Sequence, residues 1–137
     1  MKTQLAAAAL ALISMTAPSL AAKTDVWKVT EGPNGSTKGV WTVTFDEGHV
    51  SGQAQMMTPS NQPLGYKFEG TARHKVFSFT RTVSSDNQVC TYTGKLSDNR
   101  TLILGQVTCG DAYAPWVAMP SLGALGHMRT ESNNTNN

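Results

Sequence analysis

The chain is short of charge, of cysteine and of long apolar runs, and each shortage excludes something. Charged residues make up 15% of the 137 residues, and the net charge is only +2. The eleven Lys and Arg residues are scattered rather than clustered. Nucleic-acid binding needs a basic patch or stripe, so no nucleic-acid partner is expected. There are two cysteines, Cys90 and Cys109, with no Cys-x-x-Cys frame and no His or helix start beside either thiol. That spacing points to a structural bridge rather than a redox pair.

His49, His74 and His127 lie far apart in the chain and at no metal-ligand spacing, so neither a metal nor another cofactor is expected. No serine occupies a Gly-x-Ser-x-Gly frame, and no glycine-rich phosphate loop precedes a helix. The carboxylates fall mostly in turns or at outward positions, and turn chemistry accounts for Asp46, Asp86 and Asp98. No catalytic residue is predicted, and the chain reads as a non-enzyme.

The one sustained apolar run, Leu5 to Met15, follows Lys2 and ends at Thr16-Ala17-Pro18. It is too short to span a bilayer and has the layout of a secretory signal peptide, with cleavage predicted after Ala21. No transmembrane segment is expected in the mature chain. An export signal with an even cysteine count implies an oxidising compartment, either a periplasm or the cell exterior. The predicted organisation is a signal over 1–21, a single domain over 22–128 and a disordered polar tail over 129–137.

Also missing is any capped segment with apolar residues at helical spacing, so no helix is predicted in the mature chain. Two-residue alternation is present instead. In Val40-Trp41-Thr42-Val43-Thr44-Phe45, Trp41, Val43 and Phe45 face one way and the threonines the other. Thr24 to Thr30 places Trp27 and Val29 on one face. Further strands are predicted over His49 to Met56, Leu64 to Thr71 and His74 to Arg81, where Phe77 and Phe79 share a face with Arg81.

Between Cys90 and Cys109, the turn formers Ser97-Asp98-Asn99-Arg100 separate two β-prone segments. If the cysteines are opposed, antiparallel pairing sets Tyr92 against Val107, Gly94 against Gly105 and Leu96 against Ile103 on a core face. Beyond Cys109 an irregular return is predicted, with a last strand near Trp116 to Met119 and a second apolar piece near Leu122 to Leu125.

Short turns in sequence order and seven or eight strands predict an all-β fold, a small antiparallel up-and-down β-barrel that is closed or flattened and carries one disulfide. A transmembrane barrel is the rival, but outward Lys67, Glu69, Lys95 and Gln106 break any apolar band.

The layout of a leader, a short meander and Gly39-Val40-Trp41 near its start is similar to small exported barrels of the avidin and calycin (lipocalin-like) type. The cysteine hairpin followed by Trp116 is loosely like exported bacterial protease-inhibitor barrels. Neither resemblance extends to a diagnostic motif, and the tryptophan-rich closing strand of biotin binders is missing.

The candidate ligand-binding residues are Trp41, Tyr66, Arg81, Tyr92, Tyr113 and Trp116, with Thr58 to Pro63 and Asp111 to Trp116 as a rim. Aromatics inside a barrel this small fill it as core, which favours binding of a protein partner through the loops, an inhibitor of a secreted or periplasmic hydrolase being one form. The alternatives are a carrier of a small amphipathic ligand in the barrel mouth, or an envelope or host-directed factor with no pocket.

Overall fold

The computed structural model describes residues 23–121. The predicted signal, the apolar piece near Leu122 and the polar tail lie outside them. Eight strands run in sequence order: β1 (Lys23–Glu31), β2 (Thr37–Asp46), β3 (His49–Met57), β4 (Pro63–Arg73), β5 (Val76–Ser84), β6 (Cys90–Leu96), β7 (Ile103–Cys109) and β8 (Ala112–Met119). Each pairs antiparallel with the next, and β8 returns to β1, so the sheet closes into a barrel with the expected up-and-down order. A 3-10 turn, Pro33–Gly35, lies between β1 and β2.

Alternation decides which side chains go inside. Trp41, Val43 and Phe45 are buried on β2, Tyr66 and Phe68 on β4, and Phe77, Phe79 and Arg81 on β5. Their neighbours in sequence face outward, where Lys67, Glu69 and Lys95 interrupt the surface. No helix among the described residues is long and apolar enough to cross a membrane.

The disulfide hairpin has the register that antiparallel geometry dictates. Cys90 faces Cys109, Tyr92 faces Val107, Gly94 faces Gly105 and Leu96 faces Ile103. Cys90 and Cys109 are bridged, with Cα atoms 4.3 Å apart. Gly94 and Gly105 permit close approach: a Cβ on Gly105 would stand 1.8 Å from the Thr93 carbonyl oxygen, and one on Gly94 2.8 Å from the Trp116 ring.

Two local expectations need correction. The turn between β4 and β5 is His74-Lys75, both at positive φ, rather than the two residues left between the strands predicted over Leu64 to Thr71 and His74 to Arg81, because β4 continues its pairing with β5 to Arg73. The segment after Cys109 is not irregular. Gly110, at φ 62, makes a tight turn and β8 starts at Ala112, with Pro115 accommodated at an outward position.

Candidate functional site

The barrel has two unlike ends. At one end two turns are tight, Glu47-Gly48 and His74-Lys75, and the third connection, 97–102, is a longer loop closed by the Ser97 amide on the Leu102 carbonyl. The other end carries the connections at 32–36, 58–62, 85–89 and 110–111. Just inside this second end, four buried polar side chains meet among the aromatic rings.

Glu31 is the last residue of β1 and continues the inward alternation of Trp27 and Val29, which leaves it 6% exposed. Arg81, on β5, is 5% exposed and donates from Nη2 to Glu31 Oε2 at 3.2 Å. The phenols of Tyr66 and Tyr92 both donate to Glu31 Oε1, the latter at 2.8 Å. Arg81 Nε in turn donates to the Tyr92 oxygen at 2.8 Å, and Trp41 Nε1 donates to the Tyr66 oxygen at 2.8 Å. Both oxygens of Glu31 are therefore engaged, the condition for keeping a carboxylate out of water. The guanidinium also lies over the Tyr66 ring, 4.1 Å from its centroid.

Burial, reinforced by the Glu31 charge, pushes the hydroxyls of Tyr66 and Tyr92 well above the usual tyrosine range. For Arg81, burial works against the charged form, but Tyr92, Glu31 and Tyr66 outweigh it and hold the guanidinium protonated. Its remaining nitrogen, Nη1, has no hydrogen-bond acceptor; the Asp86 carboxylate, on the 85–89 connection, stands 3.5 Å away. The indole nitrogens of Trp27 and Trp116 are also buried without an acceptor.

Five of the six candidate residues come together here. Trp41 lies 5.2 Å from the ring centroids of both Trp116 and Tyr92, Tyr66 is 6.1 Å from Tyr92, and Arg81 runs between the tyrosines. Trp41 also stacks on Phe68 at 4.1 Å. These rings interlock into one core cluster with Trp27, Phe77 and Phe79. Tyr113 is apart from them on the outer side of β8, 74% exposed. Of the expected rim, 58–62 is a loop closed by the Thr58 amide on the Gln62 carbonyl, whereas 112–116 belongs to a strand.

Two participants are not expected from sequence, which places the acidic residues mostly in turns or at outward positions. Glu31 is the correction, and its signal was its place two residues beyond Val29. Asp86 does serve its turn, through the Ser84 hydroxyl and the Gln88 amide, but it also reaches Arg81.

Comparison with known proteins adds no relative. No family model matches the chain, and no curated protein matches it.

A separate hollow of about 410 Å³ lies on the outside of β2 to β5, lined by Thr42, Ser51, Gln53, Lys67, Glu69 and Thr82 among others. It sits beside the irregularity in β4–β5 pairing at Lys67/Phe68. Among the described residues, no group of three or more His, Cys, Asp or Glu side chains could hold a metal ion.

Proposed function

We propose that this chain is an exported, non-enzymatic β-barrel that acts by binding a protein partner through the end that carries the 32–36, 58–62 and 85–89 connections. An inhibitor of a secreted or periplasmic hydrolase is one form of that activity. The observation that carries the reading is the filled interior, interlocked rings around the Glu31–Arg81 pair, beside an end at which four of the nine exposed large apolar side chains stand, Met57, Val83, Val89 and Tyr113, the last two being the most exposed of the nine. A side chain as large as Tyr113, held out on a rigid strand, loses little freedom on docking.

The non-enzymatic reading is supported by the state of Glu31, the one buried acidic residue among the described residues. Both oxygens of Glu31 accept hydrogen bonds from neighbours, so neither faces a substrate. The disulfide suits an oxidising compartment, and the charged side chains on the barrel's outer face suit an aqueous one.

The test is capture of exported proteins from the source by the immobilised mature chain, compared with Tyr113→Ser and Met57→Ser variants. The expected result is a partner retained by the wild type and lost by the variants, with unchanged thermal stability. The carrier alternative requires the rings to part. A fatty acid or apolar dye that shifted emission from Trp41 and Trp116, with partner capture absent, would favour the carrier and overturn the partner reading.

A further inference from the structure

The outer wall of the barrel is not uniform in charge. On β4, outward Lys67 is followed two residues later by outward Glu69. From β6 through β7 and β8 to β1 the outward positions hold no carboxylate, because Asp25 and Glu31 lie on the inward side of β1 with Trp27 and Val29. That stretch carries Lys95 and Lys28, and Lys38 stands just beyond it on β2. None of these three lysines forms an ion pair among the described residues.

Around them the wall is apolar. Lys95 is opposed by Val76 on β5 and Leu104 on β7, and Lys28 by Val40 on β2 and Met119 on β8. Leu104 in turn faces half-buried Val117 across β7 and β8. Val26, two residues before Lys28 on the same side of β1, is about half exposed, as are Leu104 and Met119. The apolar side chains and the lysines therefore alternate across neighbouring strands of one continuous surface.

Neighbouring strands of a closed barrel form a convex wall. With β8 foremost, Val117 and Met119 lead, Leu104 and Val26 stand beside them on β7 and β1, and Lys95 and Lys38 are set back on the flanking strands. A lysine stem lies along apolar surface while its ammonium reaches for water or an anion. Apolar groups in front and cations behind match the boundary of a bilayer, where anionic headgroups overlie acyl chains. A second copy docked on the same face would bring lysines toward lysines with no carboxylate to receive them. A convex wall also gives a partner's side chain no recess to enter, since the hollow lies over β2 to β5 instead, whereas a fluid surface deforms around it.

We propose that the outer wall of β7, β8 and β1 is a peripheral docking face for an anionic phospholipid surface, with Val26, Leu104 and Met119 entering the acyl boundary and Lys28, Lys38 and Lys95 taking the headgroups. The barrel rests on the membrane without crossing it, because its other wall carries Lys67 and Glu69 outward. This face is distinct from the loop-bearing end and does not rest on the partner reading above.

The experiment floats the full mature chain with vesicles of phosphatidylcholine alone and with vesicles of about two parts phosphatidylcholine to one of phosphatidylglycerol. The expected result is reversible binding to the second kind only, weakened by added salt, about five-fold by Lys28→Gln and about five-fold again when Lys95→Gln is combined with it. Leu104→Asp combined with Met119→Asp is expected to weaken binding by roughly ten-fold or more with an unchanged circular dichroism spectrum, and Lys67→Gln, on β4, to leave it as it is. The lysine variants alter no packed side chain, so they decide the matter even if the aspartate pair unfolds. Absence of binding to the anionic vesicles overturns the proposal, and so does equal loss in Lys28→Gln and Lys67→Gln. Binding unchanged in the aspartate pair overturns the apolar contact, since charge alone would then account for it. Capture of an acidic exported protein through Leu104 and Lys95, with no vesicle binding, would give the face to a protein and overturn the lipid assignment.

Discussion

Glu31 and Arg81, fifty residues apart in sequence, form an ion pair of 3.2 Å inside the barrel, with both side chains almost wholly shielded from water. Such a pair is weak evidence for stability in itself, since desolvation offsets most of its attraction, but removing one partner strands the other. Glu31→Gln is therefore expected to cost about 3–5 kcal/mol in urea unfolding. Replacing both, as Glu31→Leu with Arg81→Met, should cost less than the single change. A double variant no more stable than the single one would show that the tyrosines, not the charges, dominate the network.

The raised tyrosines predict alkaline sensitivity. Burial, then the Glu31 charge, keeps Tyr66 and Tyr92 protonated in the folded state, whereas in the unfolded chain tyrosine ionises near pH ~10. Above that pH the unfolded state binds fewer protons, so the stability these groups contribute is complete below about pH 10 and is lost as pH rises further. The urea midpoint should fall between about pH 9 and 11, and the fall should be shallower in a Tyr66→Phe/Tyr92→Phe variant. An equal slope in both proteins would count against this account.

Asp86 predicts the opposite limb. Partial burial works to raise its carboxyl, but the Ser84 hydroxyl, the Gln88 amide and Arg81 outweigh it and hold the group below the usual carboxylate range. Its contribution is present above the unfolded value of about 4 and is lost as pH falls through the lower folded value. Amide exchange at Gln88 and Val89, corrected for intrinsic rates, should speed up in that window while β2 and β3 stay protected.

Closely approaching strands predict a glycine effect. Gly105→Ala would press a methyl group onto the Thr93 carbonyl and the Gly94 Cα, both backbone atoms that cannot rotate away. Loss of at least about 1–3 kcal/mol is expected, as for other overpacked sites. Gly110→Ala meets no neighbour, so its cost comes only from the positive φ and should be smaller.

The Cys90–Cys109 bridge closes a loop of sequence separation 19, for which the chain-entropy model gives about 3 kcal/mol. A Cys90→Ala/Cys109→Ala variant should show that loss in thermal unfolding while retaining the β-sheet circular dichroism signal. If reduction altered partner capture before it lowered thermal stability, the bridge would be acting on the binding surface rather than on the sheet.

Where the fold was legible in sequence, alternation was the reason. Trp41-Thr42-Val43-Thr44-Phe45 names its own inner face, and opposing the two cysteines fixes the register of β6 against β7 without further information. The candidate site was less legible because its polar members look ordinary locally. Arg81 betrays itself by sharing a face with Phe77 and Phe79. Glu31 stands next to a Gly-Pro turn, and only extending β1 by one residue places it indoors. The His74-Lys75 turn was hidden for another reason: Lys75 is not a usual left-handed residue, although His74 is of a type enriched there, and cross-strand pairing imposes the backbone of both. Tyr113 shows the limit of composition, since an aromatic near a predicted rim can as readily stand outside the wall as inside it.

Seven of the barrel's eight ladders join consecutive strands, but the β1–β8 seam, from Lys28 opposite Met119 to Glu31 opposite Trp116, joins the two extremities of the described chain. The consecutive ladders can zip up from local turns, whereas the seam must close a loop the size of the domain, the entropically slowest step available to the chain. Glu31 belongs to that seam, while Arg81, Tyr66 and Tyr92 belong to strands that can already be in place. During folding the Tyr66 and Tyr92 hydroxyls and Arg81 Nη2 should therefore wait for their acceptor, and the arrival of one carboxylate should both seal the ring and settle the interior. Stopped-flow refolding should then show the Trp41–Tyr66 environment maturing in the final kinetic phase.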